Sequence, residues 1–333
     1  MIAAQCESTI LICMVRFTVL GSGSKGNATL IEAGQTRLLV DCGLSCRELF
    51  KRIRAAGSEP EKIDALIVTH EHADHVAGIS VTARKLGIPV YFTEGTHRAW
   101  QKWIEPTKQM SRTEWLAECR KRADERMAAA SLPEGADGEG VKGAVEESAN
   151  EEAVAASKTK ERRPASWLPK VEHFQPGTVF SIGDLEVEAF TTPHDAADPV
   201  GFVFRCEGVR IGYATDLGYM PPNVKAQLKN LNLLLLESNH DLEMLRDGPY
   251  PWSVKQRVLS RVGHLSNDAT AEFLAEEYDG SAKYVILAHL SENNNLPELA
   301  RIAAERALAE HPQLMANRLL LAAQGEPLES LYF

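Results

Sequence analysis

His70-Glu71-His72-Ala73-Asp74-His75 follows directly on a short apolar run at 65–69, Ala-Leu-Ile-Val-Thr. Imidazole and carboxylate are good ligands for zinc and related cations, and so many of them in one hexapeptide crowd each other at a cost unless a cation organises them. The run before them reads as a strand, and 76–86 after them as a helix. A strand-to-helix turn lets the His70 and His72 pair grip one ion while Asp74 and His75 reach a second beside it. The pattern is not HExxH, because position 74 holds Asp where that motif needs His.

Upstream, 16–20, 28–33 and 37–40 read as strands in quick succession between glycine-rich turns. The stretch 47–56 has helical periodicity, and Gly87 with Pro89 stops the helix at 76–86. Downstream, from about 106 to 164, Ala, Glu, Lys and Gly dominate and large apolar side chains are too sparse to support a core. This reads as an insertion, helical near 113–130 and flexible over 132–160. A tolerated surface loop is its plain reading, and a lid touching substrate the sharper one. Strands resume at 178–182, 185–191, 201–206, 209–214 and 231–237. Helices at 253–261 and 269–277, a strand at 284–288 and a helix at 297–309 complete the series. Two β-rich halves, each ending in helices, predict an α+β fold of two sheets packed face to face with helices outside. One domain would thus comprise 15–105 and 165–333. Met14 directly precedes a good strand, so 1–14 reads as a loose extension.

The 333 residues are enough to bury a large core, and 44% hydrophobic with 25% charged residues is ordinary globular composition. No apolar run approaches the roughly 20 residues of a membrane span, and the densest, 231–236, has strand length, which argues against a membrane protein. A formal charge of −10 does not advertise a nucleic-acid binder, so a nuclease would need a local positive patch or bound cations. The six cysteines form no CxxC pair and no framework spacing, as expected of reduced thiols in a cytoplasmic protein.

Three later residues each sit just past an expected strand: His194 in Thr-Thr-Pro-His-Asp, Asp216 in Tyr-Ala-Thr-Asp-Leu and His289 in Leu-Ala-His-Leu-Ser. Singly, each reads as a turn former or a satisfied polar group. With the hexapeptide they supply the remaining ligands. Gly21-x-Gly23-x-x-Gly26 formally fits a dinucleotide fingerprint, but a strand follows it where that fingerprint needs a helix. Lys25, with the backbone N–H groups of that loop, is a candidate phosphate contact.

Taken together, Asp41, His70-x-His72-x-Asp74-His75, His194, Asp216 and His289 resemble the five motifs of the metallo-β-lactamase superfamily, from about 15 to 309 apart from the insertion. The resemblance implies an αββα sandwich with two divalent ions, zinc or manganese with iron as a further fit, along one sheet edge. By position it gives His70, His72 and His194 to one metal, Asp74, His75 and His289 to the other, and Asp216 to both. Asp74 and Asp41 would serve the catalysis, Asp41 as a carboxylate that orients ligands. Class B1 lactamases typically carry Arg where this chain has His75 and Cys where it has Asp216, so the resemblance points away from a lactamase. Members with His at that place include glyoxalase II-like thioesterases and phosphodiesterases that cut nucleic acids.

Two further patches narrow the branch. Leu236-Glu237-Ser238-Asn239-His240-Asp241 and Gly263-His264-Leu265-Ser266-Asn267 resemble motifs of the tRNA 3′-processing nucleases, which implies that His264 serves the leaving oxygen. The same residues 266–268 also make a good helix N-cap series. Together with Gly21-Ser22-Gly23-Ser24-Lys25-Gly26-Asn27 and the 193–201 stretch, the chain is similar to the YycJ (WalJ) family of bacterial metallo-hydrolases. That implies a cytoplasmic exonuclease acting 5′ to 3′ on duplex DNA by way of a metal-activated hydroxide, with Lys25, Asn27, Asn239 and His240 as substrate-binding candidates. The interval from Asp216 to His289 is too short for a β-CASP domain. A thioester or lactone hydrolase and an RNA-processing nuclease of the RNase Z type are the competing readings.

Overall fold

The computed structural model describes residues 15–105, 113, 120, 163–309 and 317–333. The expected helix at 113–130, the expected flexible stretch at 132–160 and the extension 1–14 lie outside the described residues, save helical Thr113 and Arg120. By its contacts the chain divides into a unit of Met1–Ile104 with Ala165–Phe333 and a second of Glu105–Pro164. All of the described strands belong to the first unit.

These strands form two sheets. The first sheet starts as a meander of β1 (Arg16–Gly21), β2 (Ala28–Ala33) and β3 (Thr36–Val40). It continues in parallel through β4 (Ala65–Ile67), β5 (Pro89–Thr93) and β6 (Lys170–Phe174). The second contains β7 (Val179–Ile182), β8 (Leu185–Thr191), β9 (Val200–Cys206) and β10 (Val209–Ala214), antiparallel in turn, then β11 (Leu233–Glu237), β12 (Tyr284–Ala288) and β13 (Arg318–Leu321), parallel. A last short strand, β14 (Leu331–Tyr332), returns to the first sheet beside β1, giving the order β14-β1-β2-β3-β4-β5-β6.

The inner strands of both sheets are covered on both faces, and this explains the unbroken apolar runs of strands such as β3 and β11. In β11, Leu233 and Leu235 enter the core between the sheets, whereas Leu234 and Leu236 face a second core under the outer helices. In β3, Leu38 and Val40 point between the sheets and Leu39 points to the helices on the other side. Four layers result, as the α+β reading expects. The outer helices are amphipathic for local reasons. In α1 (Cys46–Ala55) Ser45 caps the Glu48 N–H, Glu48 reaches Arg52 one turn on, and Leu49, Phe50 and Ile53 form the buried stripe. Phe202 and Phe204 of β9 are wholly buried between the sheets. Phe202→Ala is expected to lower the unfolding free energy by about 3–5 kcal/mol, read from urea denaturation, and a loss under about 1 kcal/mol would mean that the core collapses onto the gap.

The expected helix at 76–86 is two helices, α2 (Ala73–Val76) and α3 (Ile79–Leu86). The break falls at Gly78, where a Cβ would lie 2.1 Å from the Leu44 carbonyl oxygen, so the loop after β3 passes hard against it. The apolar run ending at Thr69 contributes only Ala65–Ile67 to the ladder as β4. β5, β6, β13, β14 and α4 (Glu94–Ile104) are additions to the sequence reading, as are α5 (Pro222–Gln227) and α6 (Leu242–Asp247). The remaining helices are α7 (Trp252–Val258), α8 (Asn267–Glu276) and α9 (Pro297–Ala309).

Candidate metal centre and cleft

The ends of β3, β4, β10, β11 and β12, together with the turn after β8, meet along one edge of the sandwich. Three residues there adopt left-handed backbone conformations that non-glycine residues seldom take: Asp41 (φ 59°), Asp216 (φ 62°) and His289 (φ 56°). Each follows a strand and turns its side chain back over the sheet edge. Gly43 completes the turn after Asp41. A Cβ there would come within 1.6 Å of the Asp74 carbonyl oxygen, which instead accepts from the Asn27 N–H at 2.7 Å.

Within this edge, one ligand atom each from His70, His72 and His194 lie within 4.8 Å of one another, and so do those of Asp74, His75 and His289. Asp216 stands between the two groups. Its carboxylate is 3.3 Å from His75 Nε2, 3.7 Å from His194 Nε2 and 3.4 Å from His289 Nδ1.

The far side of most rings is tied down. The Gly263 carbonyl accepts from His194 Nδ1 at 2.9 Å, and Asp41 accepts from His75 Nδ1 at 2.8 Å. One Glu237 oxygen lies 2.8 Å from His264 Nδ1 and 3.0 Å from His289 Nδ1. Thr69 Oγ1 lies 3.1 Å from His70 Nδ1. Since carbonyls and carboxylates only accept, the Nδ1 atoms bonded to them carry a proton, which leaves Nε2 as the ring atom available to an ion or a substrate. His72 is turned the other way, with Nε2 3.2 Å from the Asp195 carbonyl and Nδ1 3.2 Å from His194 Nε2.

A cation fits these residues. His70 Nε2 and Asp216 Oδ2 are buried with no hydrogen-bond partner among the described residues, a costly arrangement for polar atoms that hold no ligand. Imidazole and carboxylate donors suit zinc and manganese alike. The electrostatics agree. Burial and the neighbouring His75, His194 and His72 rings hold His70 well below the usual imidazole range, ready as a neutral ligand. Burial disfavours charge on His75, but Asp216, Asp41 and Asp74 outweigh it and push the ring up to about 9. Burial likewise opposes ionisation of Asp74 and Glu237, yet the adjacent histidines hold both carboxyls well below the carboxylate range. In the absence of ions, then, protons on His75 and His289 balance the buried carboxylates. Cations would take over that task.

Asp41 is fully buried and accepts from the Thr69 N–H (2.8 Å), the Thr69 hydroxyl and His75, so it works through those groups and does not meet a substrate. Asp41→Asn is expected to weaken metal binding by about 10–100-fold while the fold persists, measured by competition with a chromophoric chelator. Unchanged affinity would show that Thr69 alone holds the His75 ring.

A cleft of about 530 Å³ opens over the cluster, lined among others by His72, Asp74, Asp216, His264, His289 and Asn239. The other substrate-binding candidates are placed differently. Asn27 is buried, its amide 3.2 Å from Asp74 Oδ2 and its oxygen accepting from the Gly23 N–H, so it positions Asp74. His240 is buried outside the cleft lining, and burial lowers it to about 4. Lys25 is exposed and paired with Glu292 at 2.5 Å, while its neighbour Ser24 lines the cleft. Asn239 does line it, its amide donating to the His289 carbonyl at 2.8 Å.

Glu237, Thr69 and Arg257 were not among the expected site residues. Glu237 carried a signal, because an acid closing a wholly apolar strand must find partners when buried. It holds two rings and accepts the Leu217 N–H at 2.7 Å. Arg257 carried none. It is the one lysine or arginine among the described lining residues, and Asp195 grips it through both oxygens, one contact at 3.0 Å.

An αββα sandwich with paired His and Asp clusters at one sheet edge defines a metallo-hydrolase. The chain matches the family described as "Metallo-beta-lactamase superfamily" over residues 21–289, and it belongs to that superfamily and is a hydrolase. It is 33% identical over 298 residues to the exodeoxyribonuclease YycJ of Bacillus anthracis, covering 89% of this chain and 90% of the relative. It is 30% identical over 295 residues to the exodeoxyribonuclease WalJ of Streptococcus pneumoniae, covering 89% and 88%. Among solved structures, the metallo-beta-lactamase fold protein YhfI of Bacillus subtilis superposes with a TM-score of 0.56 at 15% identity, over 95% of this chain and 99% of that one. No described helix is long and apolar enough to cross a membrane.

Proposed function

We propose that this protein is a two-metal exodeoxyribonuclease that shortens duplex DNA from its 5′ ends. The observation that carries the reading is the pairing of a cleft-lining histidine, His264, with the buried Glu237 beside a full set of metal-ligating side chains. The likeness to YycJ and WalJ along nearly nine-tenths of the chain supports the choice of DNA. His70, His72 and His194 would hold one ion, Asp74, His75 and His289 the other, and Asp216 both. Such ions, when bound, supply Lewis acidity and positive charge, which activate water near neutral pH and offset phosphate charge.

The chain's own residues do the rest. Arg257, whose Nε and Nη2 are held by Asp195, has its remaining guanidinium donors to offer to a phosphate oxygen. Glu237, held ionised, fixes the tautomer and orientation of His264 through Nδ1. As water adds to phosphorus through its oxygen and gives up one proton to the solvent, the bond from phosphorus to the O3′ of the terminal nucleotide breaks. His264, held through Nδ1, serves that oxygen as proton donor from Nε2. A nucleotide leaves with a free 3′ hydroxyl, and the remaining strand keeps a 5′ phosphate.

The test uses linear duplex DNA labelled at either end, single-stranded DNA and RNA, with manganese or zinc supplied. Metal-dependent release of nucleotides from the 5′ end of the duplex is the expected result. Cleavage of RNA alone would replace the reading by an RNA-processing one. No nucleic-acid cleavage combined with thioester turnover would leave only the hydrolase.

A further inference from the structure

Above the metal-ligating residues the cleft also has an aromatic and apolar lining: Trp103, Tyr250, Val254 and Val258. Trp103 is 48% exposed, which leaves much of a large apolar ring open to a planar partner. Its position is well fixed. It lies one turn beyond Trp100 on α4, and Trp100 is wholly buried, 5.6 Å from the Phe92 ring. Tyr250 is half-buried, and its hydroxyl accepts from the Asn293 amide at 3.3 Å. Arg257, the cation gripped by Asp195, shares the same cleft. Aromatic rings, a guanidinium and a metal-ligand cluster lining one cleft match the two needs of a nucleotide, a planar apolar face and an anionic backbone.

We propose that Trp103 and Tyr250 form a base-stacking wall that takes the terminal nucleobase of a DNA strand, and that this wall is what directs the enzyme to ends. The inference rests on the nuclease reading above. Inside a duplex each base face is covered by its neighbours, so an aromatic wall has nothing to stack on until a base is taken out. At a strand end one face is bare. Stacking is indifferent to which base is present, since every base has a π-face, and this suits an enzyme that must consume any sequence. With the terminal base on the wall, the first phosphodiester follows towards Arg257 and the cluster.

The test compares a 5′-phosphorylated duplex carrying a normal terminal nucleotide with one whose terminal nucleotide is an abasic tetrahydrofuran residue, identical in its phosphates. The wild-type protein, loaded with manganese, should cut the abasic end with kcat/KM about fivefold to a hundredfold lower. Trp103→Ala should lose a similar factor on the normal end, most of it in KM, and show little further loss on the abasic end. Trp103→Phe should recover most of the difference. Tyr250→Ala, at a half-buried site, gives an independent reading should Trp103→Ala fail to fold. Equal cutting of both ends by the wild type, or an undiminished base-to-abasic ratio in both alanine variants, overturns the proposal and leaves the nuclease standing. Absence of any DNA cutting by the wild type overturns the nuclease reading and this inference with it.

Discussion

Replacing Asp74 with alanine is expected to reduce metal-dependent cutting of labelled duplex DNA by at least about a thousandfold, and to leave the protein short of one of its two ions. The magnitude follows from the several kcal/mol that a catalytic ion contributes, at about 1.4 kcal/mol per factor of ten. Asp74 is the carboxylate that joins His75 (3.5 Å) to His289 (3.3 Å), and the Asn27 amide donates to it at 3.2 Å. Without it the amide of Asn27 still meets His75 Nε2 at 3.0 Å and Glu237 still holds His289 Nδ1, but no carboxylate joins the two rings on the side that would face the ion. Metal content by plasma mass spectrometry and single-turnover rates, taken on the same sample, check both halves. A variant that retains full metal and full rate would show that the cluster is organised around a different set of atoms.

The second large effect concerns His264. His264→Ala should lower kcat for DNA by about 10²–10⁴-fold, the usual contribution of a positioned proton donor. A DNA oxygen is a poor leaving group and needs that proton, whereas a 4-nitrophenyl phosphodiester does not. The loss on the nitrophenyl substrate should therefore be far smaller than on DNA. Equal losses on both would place His264 in metal or phosphate binding instead. Glu237→Gln would keep the shape while weakening the bond that orients the ring through Nδ1, and a smaller loss than that of His264→Ala is its natural signature.

Much of this architecture was readable because its causes are local. Short apolar runs between glycine-rich turns announce β1 to β3 and β7 to β10, because both their composition and their stops lie within a few residues. The hexapeptide at 70–75 was readable for a different reason: its residue types make little sense except around a cation. What escaped depends on neighbours far along the chain. Pro89 looks like the stop of a helix, and it is also the first residue of β5, whose partner β6 begins only at Lys170. Gly78 reads as an ordinary helical residue until the Leu44 carbonyl is placed against it. Asn27 looks like a loop amide free to meet a phosphate, but folding carries it beneath Asp74, and burial changes its work from binding to positioning. Trp103 and Arg257 are, in sequence, only an aromatic residue and a charge on helices. They acquire meaning by lining one cleft.

The first sheet carries one more consequence. Its two edges, β6 and β14, both come from the chain beyond residue 164, although its five inner strands are complete by residue 93. As the polypeptide emerges from the ribosome, those inner strands must wait with open hydrogen-bonding edges on both sides. They are exposed to pairing with any other chain until 170–174 arrives on one flank and 331–332 on the other. Late strands therefore act as end-stops for an early sheet. A pause in translation after residue 93 should show itself as aggregation, and chaperone demand during synthesis should fall only when the final strand has docked beside Arg16 and Phe17.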